Sequence, residues 1–393
     1  MLNKKTIMDI DVRDKKILVR CDFNVPLDKE TKSVITNDKR IVESIPTIEY
    51  LTSQNAKVIL CSHIGKTKEK LTLRPVAKRL GELLKRNVEF VDETVGEKVD
   101  KAVSKMLPGQ VILLENTRMT EKEEANDEEF AKKLASVADI FVNDAFGTAH
   151  RAHASTEGVT HYLPAVAGFL IEKELNALDK GINAPNRPLV AIIGGAKVSS
   201  KIDVLKELIK KVDSMLIGGG MAYTFIKTLG GEIGSSLVEE DKLGVAREII
   251  EMARAREVNL ILPVDSVVAN AFSNDADVKV TDSGKIEEGW QGLDIGPESI
   301  KMFKDQIRQA GTVVWNGPVG VFEFPKFASG TNEIASCIAS SDCISIIGGG
   351  DSASAIEACG LSSKMTHVST GGGASLELME GKALPGIVAL MDK

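Results

Sequence analysis

The sequence predicts an α/β protein built from two doubly wound, mostly parallel sheets of similar size. Short apolar runs recur along the 393 residues, each followed by a glycine, proline or polar cluster and then by a longer helix-like segment. These runs are apolar at consecutive positions, which is typical of strands that are covered on both faces. A chain of this length also exceeds what one hydrophobic core usually supports.

The strand candidates follow one another in order through both halves of the chain. Those of the first half are "KILVRCDFNVP", "AKVILCSH", "VEFVD", "VILLENTR" and "DIFVNDAFG". Those of the second half are "PLVAIIGGAK", "SMLIGGG", "NLILPVD", "TVVWNGPVG", "CISIIGGGD" and "THVSTGGGAS". Between them, segments such as "DEEFAKKLASVA", "KIDVLKELIKKV" and "LGVAREIIEMARARE" carry apolar residues at helical spacing. The alternation predicts repeated βα units.

A domain boundary is predicted near residue 184. The stretch "GINAPNRP", residues 181–188, interrupts the βα pattern with two prolines and a glycine. The helix-like "FLIEKELNALDK" before it is expected to connect the domains. We therefore predict an N-terminal domain over residues 1–184 and a C-terminal domain over 185–375. The apolar last segment, 376–393, is expected to pack back on the first domain.

Composition restricts the classes of function. Aromatic residues make up only 4% of the chain and the formal net charge is -7, which argues against a nucleic-acid-binding protein. The five cysteines include no C-x-x-C pair, so free thiols and a cytoplasmic location are expected. The N-terminal stretch does not fit a signal peptide, and no window reaches the roughly 18 apolar residues of a membrane span.

The stretch "VILCSHIGKT", residues 58–67, looks at first like the end of a phosphate-binding P-loop. That motif needs a glycine five residues before Gly65, but Leu60 stands there, so the motif fails. What remains is a buried strand whose carboxyl end brings His63 and Gly65 to the edge at which open α/β sheets bind ligands.

Four glycine clusters end strands in the second half: Gly194–Gly195, Gly218–Gly220, Gly348–Gly350 and Gly371–Gly373. Glycine lets the backbone approach a ligand, and a following helix offers unpaired N–H groups to an anion. A tight βα turn also uses glycine, so a single cluster is uninformative. Four clusters without a G-x-G-x-x-G pattern favour a phosphate site that is not a dinucleotide fingerprint.

Charged side chains accompany these glycines. Lys197 and Lys201 are four residues apart and are predicted to share one face of a helix that begins near Ser199 or Ser200, with an anion between them. Two solvated lysines are the alternative. Asp351 is predicted where a strand ends and a helix begins, a position that suits an N-cap or a magnesium ligand, and the cap is the commoner role.

Cations collect at the strand ends of the first half. They are Arg40, His63, Arg118, His150, Arg151 and His153. Arginine forks recognise carboxylate and phosphate, so this set predicts a site for a small polyanion. The histidines could instead be satisfied inside turns. A metal site lacks a third ligand at suitable spacing, and a serine hydrolase lacks the G-x-S-x-G elbow.

With these residues in place, the chain resembles the phosphoglycerate kinases over essentially its whole length. The matching segments are "VRCDFNVP", "CSHIG", "LLENTR", "DAFGTAHRAHAS", "IIGGAKVSSKI", "LIGGGMAYTF", "DIGPES", "WNGPVGVFE", "IGGGDSASA" and "STGGGAS". The resemblance implies two domains facing a cleft, with phosphoglycerate on the first and ADP or ATP with Mg²⁺ on the second. It also implies a hinge-bending, cytoplasmic enzyme of glycolysis, expected to act as a monomer on small molecules.

The resemblance also implies site residues at the matching positions. The phosphoglycerate ligands would be Asp22, Phe23, Asn24, Arg40, His63, Ile64, Gly65, Lys66, Arg118 and Arg151. The nucleotide ligands would be Lys201, Gly218, Gly219, Gly292, Asn316, Pro318, Glu323, Gly349, Gly350, Asp351 and Ser352, with Asp351 also holding the metal. The transferring phosphoryl group would be held by Arg40, Lys197, Gly371, Gly372 and Gly373.

One position departs from the family pattern. The common motif continues from S-H-x-G into Arg-Pro, whereas this chain has Lys66 and Thr67. Lysine keeps the charge but loses the fork, which puts a direct substrate contact from position 66 in doubt.

Two rival functions remain to be weighed. A dinucleotide-dependent oxidoreductase needs the fingerprint that is absent, and a non-catalytic scaffold would be expected to lose its charged site residues.

Overall fold

Two six-stranded sheets, each made only of parallel strands, form the framework of residues 3–393, which are the residues that the computed structural model describes. The predicted fold class, two parallel α/β sheets with helices between the strands, is confirmed. Contacts within the chain define two units. The first runs to Asn176 and includes Ala383–Lys393, and the second is Ala177–Lys382. The sequence had placed these divisions at residues 184 and 376.

The first unit contains six strands with helices between them, together with α13 (Pro385–Val388) in its last segment. The strands are β1 (Lys16–Cys21), β2 (Lys57–Cys61), β3 (Val88–Val91), β4 (Val111–Leu114), β5 (Ile140–Asp144) and β6 (Ala165–Ala167), in the order β3-β4-β2-β1-β5-β6. The helices are α1 (Lys39–Ser53), α2 (Arg74–Leu84), α3 (Glu97–Lys105), α4 (Glu128–Ala135) and α5 (Phe169–Leu178). Every residue of β4 and β5 is buried, as expected for strands covered on both faces.

The second unit repeats this plan with additional strands. Its strands are β7 (Leu189–Ile193), β8 (Ser214–Ile217), β9 (Glu232–Ile233), β10 (Asn259–Ile261), β11 (Asp265–Ala269), β12 (Val278–Asp282), β13 (Lys285–Ile286), β14 (Gln291–Ile295), β15 (Thr312–Asn316), β16 (Ile344–Gly348) and β17 (His367–Val368). Its helices are α6 (Ile202–Leu208), α7 (Met221–Thr228), α8 (Leu243–Ala255), α9 (Pro297–Gln309), α10 (Ser329–Ala339), α11 (Gly350–Ala358) and α12 (Gly373–Met379). The parallel sheet has the order β10-β8-β7-β15-β16-β17.

The sequence did not predict the smaller sheets of the second unit. Strands β12, β11 and β14 form an antiparallel sheet, and β13 pairs with β9. In β12 every second residue is exposed, and these include Val278 and Val280, so the strand lacks the continuous apolar run on which the prediction relied. The short β6 was missed as well, since three residues give no usable period.

The predicted helix shared by Lys197 and Lys201 is wrong. A 3₁₀ turn occupies Val198–Ser200, and α6 begins only at Ile202. Lys197 has extended backbone before the turn, and Lys201 lies between the turn and the helix. The two lysines therefore do not stack on one helical face, because the glycine-rich segment tightens into a turn before the helix starts.

Both ends of the described chain lie on the first sheet. The short helix α13 (Pro385–Val388) belongs to the final segment, which is joined to the N-terminal residues by a bridge between Lys4 and Asp392. The ammonium of Lys4 is buried and donates to the carbonyl oxygen of Leu390 over 2.7 Å. Among residues 3–393, no helix combines the length and apolar character needed to cross a membrane.

Candidate functional site

The carboxyl ends of β1 and β2 bring together the first group of predicted site residues. Asp22 follows β1 directly, and Arg40 lies in the first turn of α1. The Arg40 guanidinium forms an ion pair with the buried Asp22 carboxylate at 3.0 Å and also donates to the carbonyl oxygen of Asn24. The Asn24 side chain accepts the N–H of Gly65 at 2.9 Å, so the two loops are fixed to each other.

His63 follows β2 and is only 3% exposed. Its Nδ1 lies 3.1 Å from Nη2 of Arg20, a fully enclosed arginine of β1. The pKa of His63 lies well below its usual range, because burial strips water from the imidazolium and nearby arginines repel it. These arginines are Arg20, Arg118, Arg40 and Arg151. The concentration of positive charge favours the binding of an anion here.

Arg118 lies in a 3₁₀ turn after β4 and points to the same place. Its Nη1 donates to the carbonyl oxygen of Gly65 at 2.7 Å, and its Nη2 lies 3.3 Å from the carboxylate of Glu124. Burial lowers the pKa of Arg118, and its buried Nε has no protein partner. Glu124 also accepts the hydroxyl of Thr67, which anchors the segment that departs from the family pattern.

The remaining predicted residues of this group differ in accessibility. Arg151 is exposed and bonds through Nε to His150 at 3.1 Å. Lys66 is exposed, and its backbone N–H donates to Glu69. Phe23 and Ile64 are buried in the hydrophobic core, so only their backbone groups are available to a ligand.

The second unit has a cavity of about 380 Å³ at the carboxyl end of its parallel sheet. Five predicted nucleotide residues line it: Gly219, Gly292, Pro318, Glu323 and Asp351. Its wall also includes Leu237, Phe272 and Leu293, which give it an apolar side. A mostly apolar cavity with a few polar groups at one end is typical of a small-molecule site.

Glycine is required at this cavity for reasons of space. A methyl group on Gly292 would overlap the Tyr223 hydroxyl, and one on Gly218 would overlap Val319. Gly219 has a φ of +68°, a conformation that other residues rarely adopt. The backbones of Gly194 and Pro318 also meet so closely that a side chain on Gly194 would collide with the Pro318 carbonyl.

Lys201 and Asn316 meet beside the cavity. The Lys201 ammonium donates to the side-chain oxygen of Asn316, which ends β15. Burial lowers the pKa of Lys201, whereas the negative charges of Asp351 and Glu380 act in the opposite direction. The Asn316 amide nitrogen is buried and has no protein partner, so it remains available as a donor.

Asp351 does not cap its helix, although the cap was the commoner role for its position. The N-cap of α11 is Gly349, whose φ of +90° suits glycine, and Asp351 stands in the first turn with an exposed side chain. The hydroxyl of Ser352 accepts the N–H of Gly317 at 2.6 Å and joins α11 to the β15 loop. Gly350 is exposed at the same helix start.

The predicted phosphoryl-holding residues of the second unit lie on two segments. Lys197 is exposed before α6, and Gly371–Gly373 precede or begin α12. The N–H of Gly371 donates to the Ser369 hydroxyl at 3.1 Å, whereas Gly372 has open space around it. Within residues 3–393, no group of three or more histidine, cysteine or carboxylate side chains could hold a metal ion.

Sequence reasoning missed Arg20 and three apolar residues of the cavity wall, Leu237, Phe272 and Leu293. Arg20 belongs to the segment "VRCDFNVP", and a charge inside an apolar strand is a usable signal. Leu237 and Phe272 line the cavity from loops. Nothing in the local pattern distinguishes them from other loop residues, because only the fold brings them to the cavity.

Known proteins that resemble this chain share one description. The sequence model of the family described as phosphoglycerate kinase matches residues 7–382. A phosphoglycerate kinase of Clostridium botulinum (strain Langeland) is 57% identical over 398 residues, covering 100% of this chain and 99% of the relative. A phosphoglycerate kinase of Dictyoglomus turgidum is 55% identical over 397 residues, covering 99% of this chain and 100% of the relative.

Solved structures give the same result. The structure of phosphoglycerate kinase from Coxiella burnetii matches with a TM-score of 0.90 at 40% identity and covers 98% of both chains. The phosphoglycerate kinase of Pyrococcus horikoshii matches with a TM-score of 0.84 at 31% identity, again over 98% of both chains. The similarity therefore includes both units.

Proposed function

The chain belongs to the phosphoglycerate kinase family, and from this premise we propose how its two units divide the reaction. The chain is a glycolytic phosphotransferase. It transfers the acyl phosphate of 1,3-bisphosphoglycerate to ADP, reversibly, and so forms 3-phosphoglycerate and ATP. The assignment of individual residues to these substrates is our proposal.

We propose that the first unit binds the glycerate substrate. The observation that supports this most strongly is the set of arginines around His63, because it concentrates positive charge at one sheet edge, where Asp22 and Glu124 each pair with only one of them. Arg118 adds a buried Nε–H group without a protein partner. This group is able to donate a hydrogen bond to an anionic oxygen of the substrate. Asp22 holds Arg40 in place and leaves part of its guanidinium exposed. A bisphosphorylated carboxylic acid provides the matching negative charge.

The second unit is proposed to bind ADP or ATP. Its cavity has apolar walls for a base and ribose, with Glu323 at the margin and Asp351 at the helix start. Lys201, the free amide of Asn316 and the N-terminus of α11 then face the phosphates. A helix N-terminus and a lysine together favour a phosphate chain.

Magnesium is proposed to arrive with the nucleotide. A single exposed carboxylate, Asp351, fits this role, because Mg²⁺ usually takes one or two carboxylates together with substrate phosphates and water. The ion would neutralise charge on the phosphate oxygens. Asp351 would hold it, and the nucleotide would supply the other ligands.

The proposed mechanism needs no protein nucleophile or general base. The acceptor oxygen is already an anion, a phosphate of ADP or the carboxylate of 3-phosphoglycerate, so the protein has only to align the groups and stabilise charge. Arg40, Lys197 and the N–H groups of Gly371–Gly373 are proposed to hold the transferring phosphoryl group, for which the N–H of Gly371 would have to leave the Ser369 hydroxyl. We also propose hinge closure during turnover, since excluding water protects the acyl phosphate from hydrolysis.

A coupled assay of ATP formation tests the activity. Lys197→Ala and Arg40→Ala are expected to reduce kcat by about 100-fold or more, because each removes charge stabilisation of the transition state. Thermal unfolding should be nearly unchanged for Lys197, whose side chain is exposed. Lys364→Ala and Arg13→Ala, two exposed cations elsewhere, serve as controls and should keep full activity. Wild-type turnover in either test variant would remove that residue from the proposed mechanism.

We further propose a cytoplasmic monomer that acts on small molecules. The five cysteines are all unpaired, which agrees with a reducing compartment. Size-exclusion chromatography with light scattering would detect any other assembly state.

A further inference from the structure

Arg20 is a charged side chain enclosed within the first sheet. It lies within β1 and is 1% exposed, yet it has no direct ion pair among residues 3–393. Its Nε donates to the hydroxyl of Ser155 at 2.8 Å, and Nη1 donates to the carbonyl oxygen of Cys21. Its Nη2 is left to interact with Nδ1 of His63 at 3.1 Å.

The hydrogen bond between Nη2 of Arg20 and Nδ1 of His63 can have only one direction. A guanidinium has five N–H donors, no acceptor, and does not lose its proton in proteins. Nδ1 of His63 must therefore be the acceptor and carry no hydrogen. The ring proton then resides on Nε2, which has no hydrogen-bond partner among the described residues.

A buried acid stands behind Arg20. Glu123 is fully buried and accepts the Ser155 hydroxyl at 2.5 Å through one oxygen and the Ser155 N–H at 3.0 Å through the other. Because the Ser155 hydroxyl donates to Glu123, its oxygen is oriented to accept from Nε of Arg20. The serine hydroxyl thus links the carboxylate of Glu123 to the guanidinium of Arg20. Without this link, Arg20 would be an uncompensated buried cation.

We propose that Glu123, Ser155 and Arg20 are positioning residues that lock His63 as the neutral Nε2–H tautomer, so that His63 offers a hydrogen-bond donor to an anionic oxygen of the glycerate substrate. The assignment of that substrate to the first unit rests on the function proposed above. The lock itself is a property of the protein without substrate. The lock makes His63 a fixed neutral donor among arginines. His63 takes no part in proton transfer.

The tautomer can be measured directly in the full-length protein. Long-range ¹H–¹⁵N correlation of ¹⁵N-histidine-labelled protein separates a protonated ring nitrogen from an unprotonated one, and His63→Gln assigns the His63 signals among the 5 histidines. Wild type should show unprotonated Nδ1 and protonated Nε2 for His63 from pH 5 to pH 8. An Nδ1–H tautomer, or a doubly protonated ring in that range, would overturn the proposal. Since no substrate is present, this result does not depend on the proposed function.

Variants test whether the contacts that run from Glu123 through Ser155 and Arg20 to His63 affect binding of 3-phosphoglycerate. Ser155→Ala and Glu123→Gln should produce a mixture of His63 tautomers and raise KM for 3-phosphoglycerate about tenfold, the effect of roughly one hydrogen bond. KM for ATP should stay unchanged. Ser214→Ala removes a buried serine that bonds to Gln306 in the second unit, and it should alter neither the His63 signals nor KM for 3-phosphoglycerate. Unaltered His63 signals in both test variants would refute the relay.

Two substitutions of His63 separate its nitrogens. Glutamine places its amide nitrogen near the position of Nε2, whereas asparagine reaches only to Nδ1. His63→Gln should therefore keep KM for 3-phosphoglycerate within about threefold of wild type, and His63→Asn should raise it about tenfold, as expected when one hydrogen bond is lost. Equal KM values in the two variants would contradict the donor role of Nε2, even if the tautomer itself proves correct.

Discussion

At the scale of single residues, Gly292 shows how an absent side chain shapes the cavity of the second unit. It lies in β14 on the cavity wall, directly against the ring and hydroxyl of Tyr223. Tyr223 cannot move aside easily, because it is buried and its hydroxyl donates to Ser266 at 2.9 Å. The close approach of the β14 backbone to this ring depends on the missing methyl group.

Gly292→Ala should therefore destabilise the protein by about 1–3 kcal/mol, the usual cost of overpacking. It should also weaken ADP binding, because the wall of the cavity would shift. Urea unfolding and calorimetric titration measure the two effects. As a control, Gly244→Ala lies in α8, where the new methyl group meets nothing within 4 Å, so stability should rise by up to about 1 kcal/mol. Unchanged stability of Gly292→Ala would show that Tyr223 relaxes freely.

The sequence was informative for residues whose role depends on their own type and neighbours. Arg118 follows a strand and Arg40 lies at the start of a helix, and both could be proposed as anion ligands from residue type and sequence position. The role of Arg20 could not be predicted in this way, because its partner Ser155 is 135 residues away in the chain. Its contact with His63 also depends on strand pairing between β1 and β2, which aligns Arg20 with Cys61. The assignment of these residues as substrate ligands stays a prediction.

At the scale of secondary-structure elements, the start of α5 is unusual because a carboxylic acid is sealed beneath it. Asp144 ends β5, is fully buried, and accepts the N–H of Leu170 in the first turn of α5 at 2.8 Å. Burial raises the pKa of Asp144 to about 7, although the N–H groups of Leu170 and Ile171 favour the charged form. The acid therefore titrates near neutral pH in the folded state.

This gives a stability prediction with a defined sign. The pKa of Asp144 is raised on folding from 3.8 to about 7, so protonation favours the folded state. Its contribution is complete below about 3.8 and is lost as the pH rises through 7, with a slope of about 1.4 kcal/mol per pH unit between these values. Asp144→Asn should remove this slope, so the variant gains stability relative to wild type from pH 5 to pH 8.

The comparison must be between variant and wild type, because other groups titrate in the same range. The pKa of His153 is lowered to about 4 by burial and by arginines, and that shift makes stability rise with pH. Asp28→Asn provides a control. The hydrogen bonds that Asp28 accepts from Thr31 lower its pKa, so this carboxylate does not titrate above pH 5. Denaturant unfolding at several pH values gives the result. Parallel curves for Asp144→Asn and wild type would exclude Asp144 as the titrating group.

Elements were predictable to the degree that their pattern is local. Buried parallel strands such as β7 and β15 are continuous apolar runs, and both were found. The antiparallel sheet was not, since the apolar residues of β12 face solvent and resemble a loop. The start of α6 was misplaced because helical periodicity cannot show where a glycine-rich turn ends. For the antiparallel sheet the decisive interaction is tertiary strand pairing, whereas for α6 it is the local geometry of the turn before the helix.

At the scale of the whole molecule, the last residues of the chain complete the first unit. Leu384 and Ile387 are fully buried, and the side chain of Asn143 in β5 donates to the carbonyl oxygen of Gly386 at 2.9 Å. The backbone N–H of Met391 bonds to Ala165 in β6. The first unit thus cannot form its full core without the segment Ala383–Lys393.

Ile387→Ala should therefore destabilise the first unit selectively, by about 2–5 kcal/mol, because it leaves a cavity in a closed core. Both tryptophans, Trp290 and Trp315, lie in the second unit, so tryptophan fluorescence reports only on that unit, whereas far-ultraviolet circular dichroism reports on both. In urea, the circular dichroism of the variant should show an early transition while the fluorescence midpoint stays near that of wild type. Val388→Ala, at a neighbouring position that is 50% exposed, should change neither signal. If the fluorescence midpoint falls together with the circular dichroism, the two units unfold cooperatively, and the last segment then stabilises the whole enzyme.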